Sequence, residues 1–148
     1  MSSTDAVQAH LVAALQGTAL FTAAQVVRGR HSEAPDFPFC CVSFEGFRTE
    51  RAGAGARVAL GQYYRTLQFV VAAWVEVGSD DPSTREAQTL THLDTILQAL
   101  ELDRTAGGNC QDLMTQGDAF LAVDPDTGQN VAFVGVIVEA YVHLIRGL

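Results

Sequence analysis

RTLQFVVAAWVEVGSDDPSTREAQ, residues 65–88, carries two different periodicities back to back. In its first half Leu67, Phe69, Val71, Ala73 and Val75 recur at every second position, the spacing that returns side chains to one face of a β-strand. The positions between them open polar at Thr66 and Gln68, then turn apolar at Val70, Ala72 and Trp74, so the middle of this strand needs cover on both faces. Arg65 is a misfit on the otherwise apolar odd face. In the second half Asp81 offers an oxygen to the free amides of a helix start, and Pro82 suits the first helical position, where its missing N–H is no loss. A strand over 61–77 is predicted, followed by a helix with Ala87, Leu90, Leu93, Leu97 and Leu100 down one stripe.

Toward the N-terminus, Ser2 or Ser3 can cap a first helix that sets Val7, Leu11, Ala14 and Leu15 on one side and stops at Gly17. Residues 21–28 read as a short strand, and GRHSEAPDFP, with two prolines, as an irregular link. The next strand, 39–48, places Cys40, Val42 and Phe44 on one face and Ser43 and Glu45 on the other. TERAGAGARVAL, residues 49–60, lacks a tight-turn signal and is predicted to be a long mobile hairpin loop. Its GAG is no phosphate cradle, because a dinucleotide fingerprint needs a further spaced glycine opening a helix. Beyond the second helix, TAGGN breaks the chain. Two short strands over 110–115 and 119–123, a DPDTGQ turn and a long strand over 130–145 are expected to follow. Together these elements predict one α+β domain over residues 1–148: a single mixed, mostly antiparallel sheet, two main helices packed on it and a long hairpin loop.

The formal charge of −8, with 9 Lys and Arg against 17 acids, argues against gripping nucleic acid, which depends on cations neutralising phosphates; it also suits a domain simply kept soluble. The longest apolar run, Phe69 to Val75, falls far short of the ~20 residues of a membrane helix. The start MSSTDAVQAH has neither the basic nor the apolar region of a secretory signal, so a cytoplasmic origin is expected. Cys40, Cys41 and Cys110 suit neither a disulfide framework nor paired zinc ligands and read as buried apolar residues. A Cys40 or Cys41 nucleophile would need a His that only the fold could bring close. His10, His31, His92 and His143 are scattered, without metal-ligand spacing. Asp124 and Asp126 imitate a calcium loop, but Gln129 stands where the turn glycine belongs and Gly135 where the bidentate Glu belongs. No catalytic residue, metal or cofactor is expected.

With that order in hand, FPFCCVSFEG at 37–46, RTLQFVVAAWVEVGSDDPSTREA at 65–87, LDRTAGGN at 102–109 and the DPDTG hairpin make the whole chain resemble the tail terminator proteins of long-tailed bacteriophages. The resemblance implies a structural virion protein, not an enzyme. Six copies would form a ring at the head-proximal end of the tail tube, stop its polymerisation and offer a docking surface to the head-tail connector. Its partners would be its own copies, the tail tube protein and a connector or neck protein. Assembly would take place in the host cytoplasm, and DNA would pass through the ring without specific binding. For subunit contact the expectation names Val70 and Trp74, with Phe133 and Tyr141 if the long strands pair. Arg48, Glu50, Arg51 and Arg57 would be the charged handholds of a loop touching tube or neighbour, and Asp80, Asp81, Asp124 and Asp126 would line a channel that does not hold DNA. Other neck, tail-completion or tail-tube proteins share small α+β designs. A ligand-binding α+β oligomer would show itself by a deep pocket with convergent polar groups.

Overall fold

A computed structural model describes residues 3–31, 34, 37–51, 62–78, 81–123 and 130–145. The elements in chain order are α1 (Ser3–Gln16), β1 (Val26–Arg28), β2 (Phe39–Arg51), β3 (Gln62–Glu76), α2 (Pro82–Glu101), β4 (Asp112–Val123) and β5 (Asn130–Ile145). The strands form one sheet in the order β1-β2-β3-β5-β4; β1 runs parallel to β2 and the other neighbours are antiparallel. This is the α+β, mixed and mostly antiparallel architecture predicted, with both helices packed on the sheet.

The caps act as the sequence implies. The Asp81 carboxylate accepts from the backbone N–H of Thr84 at 3.1 Å and from its hydroxyl at 2.8 Å, with Pro82 behind it. Past α1 the Thr18 hydroxyl and amide both donate to the Leu15 carbonyl, at 2.9 and 3.1 Å, which satisfies an orphan acceptor at the helix end. The stripe of α2 is rotated from the one predicted: Thr89, Ile96 and Leu100 are buried, Leu93 and Leu97 flank them, and Ala87 and Leu90 are exposed. Between α2 and β4, the loop Asp103–Asn109 folds around one carboxylate. Asp103 accepts from the Thr105 amide and hydroxyl and from the Gly107 amide at 2.7–3.0 Å, and these hydrogen bonds hold its carboxyl below the usual range.

Three elements differ from expectation for local reasons. The strand expected over 21–28 shrinks to Val26–Arg28, because the Gln25 side chain accepts from the Thr22 amide at 2.9 Å and closes a 3-10 turn over Ala23–Gln25. The strand expected to stop at Arg48 runs on to Arg51, with Thr49, Glu50 and Arg51 opposite Arg65, Tyr64 and Tyr63; any loop is therefore shorter than 49–60, and residues 52–61 lie outside the described residues. A bulge at Glu45, between Phe44 and Gly46, shifts the register of this pair. The two short strands expected over 110–123 are one, and Gly117 lies inside it rather than at a break.

Gly117 is where α2 approaches β4. A Cβ built there would lie 3.0 Å from Leu93 Cδ1 and 3.4 Å from Leu97 Cδ2. Gly117→Val is expected to push the helix off the sheet and destabilise the fold by about 1–3 kcal/mol. The midpoint of urea unfolding measures this, and an unchanged midpoint would mean that α2 has room to spare.

Both helices lie on the same side of the sheet. Val7, Leu11 and Leu15 of α1 and Ile96 and Leu100 of α2 join one core with Leu67, Phe69, Val71, Ala73 and Val75 of β3 and Val134, Val136, Val138 and Ala140 of β5. The odd face of β3 and the even face of β5 are thereby closed. Among the described residues no helix lies over the reverse face.

Candidate assembly surface

The helix-free face is built by register. Along β3 and β5, Trp74 stands opposite Phe133, Ala72 opposite Gly135, Val70 opposite Ile137, Gln68 opposite Glu139 and Thr66 opposite Tyr141. Facing pairs share a side of the sheet, so β2 adds Phe39 beside Trp74, and β4 adds Phe120 beside Phe133. The result is a row of rings crossing four strands: Phe39 to Trp74 at 5.8 Å between centroids, Trp74 to Phe133 at 5.4 Å and Phe133 to Phe120 at 5.0 Å. At the β2 end, the ring of His31 meets Phe39 edge-on at 5.1 Å. The spacings and tilts are those that aromatic pairs prefer.

The row is closed at one end and open at the other. Phe39 is buried, Trp74 and Phe133 are partly covered, and Phe120 is 54% exposed. Beside it, Ala72 and Gly135 are small enough to let the rings lie low; a Cβ at Gly135 would come within 3.3 Å of the Phe133 ring. Val70, half-buried, and Ile137, 37% exposed, continue the apolar surface.

Further along the strands this face turns polar. Arg48 Nε bonds Glu50 at 2.8 Å and its Nη2 lies 3.8 Å from Glu139. The Tyr141 hydroxyl donates to Glu139 at 3.2 Å, and desolvation together with the Glu139 charge raises its pKa above the ordinary value, so it stays a neutral donor. Tyr64 stacks on His143 at 4.9 Å.

The structure gathers Val70, Trp74 and Phe133 on one apolar surface, as their sequence positions suggested. Tyr141 does not join them: it lies eight residues beyond Phe133 on β5, ~26 Å along the strand, in the polar half. Arg48 and Glu50 sit on a paired strand and ion-pair with each other, so they are not loop handholds; Arg51 is in the same strand and Arg57 lies outside the described residues. Asp81 is engaged as the α2 cap, while Asp80, Asp124 and Asp126 lie outside the described residues. Sequence reasoning missed Phe39 and Phe120 as members of the row. Their one signal was an aromatic residue at the outer end of each flanking strand.

Cys40, Cys41 and Cys110 are all buried. Desolvation, reinforced by its neighbour Cys41, drives the Cys40 thiol far up, and Cys110 is raised to about 11 by burial and by Asp112 and Asp103. Thiolate is the reactive form, so none of the three is expected to react with a disulfide reagent in native protein at pH 8, whereas all three should react after denaturation. Fast native labelling of any one would contradict this burial.

Among the described residues no group of three or more His, Cys, Asp or Glu is placed to hold a metal, and no helix is long and apolar enough to cross a membrane. Three hollows are lined by described residues. One of about 200 Å³ lies over Gly46 and Glu139, one of about 130 Å³ beside Met114 and Tyr141, and one of about 260 Å³ between α2 and β4 at Leu90 and Leu121. Sites for small molecules usually occupy ~300–1,000 Å³. No protein-family profile matches the chain, and comparison with curated proteins returns no match.

Proposed function

We propose that this chain is a structural, ring-forming subunit of the tail-terminator kind, acting by assembly rather than catalysis. One observation carries the reading: a single-sided helix layer leaves a sheet face whose centre is a cross-strand row of aromatic rings with Val70 and Ile137 beside it. A continuous apolar patch of this kind on a small domain marks a surface that another protein covers. Among the described residues, hollows of about 130–260 Å³ offer less room than ligand capture usually takes. In this role copies close into a six-membered ring on the head-proximal end of a tail tube, halt its growth and present the connector with a docking surface, while DNA passes through. The protein would then reside in the virion after assembly in the host cytoplasm.

The experiment joins two measurements. Sedimentation should give a mass about six times 15.8 kDa. Tubes polymerised from the tail tube protein of the same genome should stop growing on its addition and carry a ring at one end in negative stain. A monomer at all concentrations that leaves tube growth unchanged rejects the reading.

A further inference from the structure

We infer that neighbouring copies meet head to tail, the Phe44 and Phe47 ledge with Arg65 on one copy covering the Trp74, Phe133 and Phe120 row of the next. This rests on the assembly reading above and goes beyond it by naming what covers the open face.

The ledge follows from the reach of the β2–β3 pair. Phe44 and Phe47 stand opposite Phe69 and Leu67, so they point to the helix side of the sheet. The helices cover Phe69 and Leu67 but leave Phe44 42% and Phe47 60% exposed. The guanidinium of Arg65, the misfit of the sequence pattern, lies 5.0 Å from the centre of the Phe47 ring. β1 pairs only with Cys40–Val42, so among the described residues the outer edge of β2 from Ser43 onward has no strand beside it. The chain thus carries two uncovered aromatic patches, on opposite faces of one sheet. From Leu67, opposite Phe47, to Trp74 is seven residues, ~23 Å along β3, so the patches cannot meet within a single copy.

Charge selects how they meet between copies. On the ledge's own face the described charge beside Phe47 is Arg65, in a chain whose overall charge is −8; Arg48 and Glu50 belong to the opposite face. On the face of the row lie Glu76 and Asp118, and Arg85 and Glu86 of α2 share the hollow beside Phe120. A two-fold contact of row against row would set acid against acid. Ledge on row sets Arg against acid and offers a guanidinium to the faces of Trp74 and Phe120, the kind of contact Arg65 already makes with Phe47. A contact between two different patches repeats from copy to copy and closes into a ring when its rotation allows.

Mixing two variants tests this. F47E spoils the ledge and F120E spoils the row, both at exposed positions where the fold should tolerate a charge. Each alone should be a folded monomer by circular dichroism and light scattering. An equimolar mixture should give a species about twice 15.8 kDa and nothing larger, because only the row of F47E and the ledge of F120E remain intact. R65E mixed with D118R tests charge alone: each by itself should be monomeric, and the mixture should assemble beyond a dimer, because the exchanged charges restore the second contact. Assembly of either variant by itself, or a mixture that stays monomeric while the unmodified protein forms rings, overturns the head-to-tail contact and leaves the ring reading standing. An unmodified protein that is monomeric at every concentration overturns both.

Discussion

Asp in place of Trp74 is expected to give a folded protein that no longer assembles. Trp74 lies on the face without helices, only partly covered, touching Phe39 and Phe133. Losing these contacts costs the monomer about 0.5–1.5 kcal/mol per aromatic pair beyond the lost area, which a domain of ordinary stability, ~5–15 kcal/mol, survives. The new carboxylate stays within reach of water in the monomer. Under a neighbouring copy it would be desolvated beside Glu76 and Asp118, while Arg65, the cation of its own strand, lies nine residues away on the opposite face. Sedimentation should therefore shift from ring to monomer while the far-ultraviolet spectrum is unchanged. An unfolded protein would show instead that the aromatic row is part of the monomer's own core, and would remove the main support for assembly through this face.

The mirror experiment sits one strand face away. Phe69 is fully buried under the helices, the bulkiest of the completely enclosed side chains. Phe69→Ala leaves a cavity between the sheet and both helices and should cost about 3–5 kcal/mol. The midpoint of urea unfolding should fall steeply at unchanged slope. A loss near zero would mean that the core collapses around the gap, which close-packed interiors rarely manage. Trp74 and Phe69 are five residues apart on the same strand, yet one substitution is expected to break assembly and the other stability. That contrast measures the one-sidedness of the helix layer.

Strands and helices were legible where a local rule sets them. Alternation from Leu67 to Val75 predicted β3 and which side is buried, and Asp81-Pro82 marked the start of α2. The misreadings arose where a residue serves a distant partner. The gap expected between two short strands holds Gly117, which sits inside β4 and lets Leu93 and Leu97 approach. Leu90 belonged to the helical stripe by spacing, yet α2 turns Ile96 inward because β4 and β5 lie on that side. Gly53 and Gly55 suggested a loop beginning at Thr49, whereas pairing with Tyr63, Tyr64 and Arg65 extends β2 to Arg51. The need for cover at Val70, Ala72 and Trp74 could be read from one strand. The row itself could not, since its rings come from four strands whose register is fixed only by tertiary pairing. Tyr141 shows the same limit: it shares a face with Phe133 by parity but stands too far along β5 to share its surroundings.

The placement of β5 also sets a timetable. β5 pairs with β3 on one side and β4 on the other, so residues 130–145 are inserted into the middle of the sheet rather than added to its margin. Trp74 meets Phe133 across a gap of almost sixty positions in the chain, and contacts so remote in sequence form late and slowly. While a ribosome is still making this protein, β2 and β3 can form a hairpin and α2 a helix, but the ring row has no centre until Phe133 emerges. In the proposed assembly a half-made subunit carries a ledge but no row. Two nascent chains on one polysome would then have nothing to offer each other, which keeps them from joining prematurely.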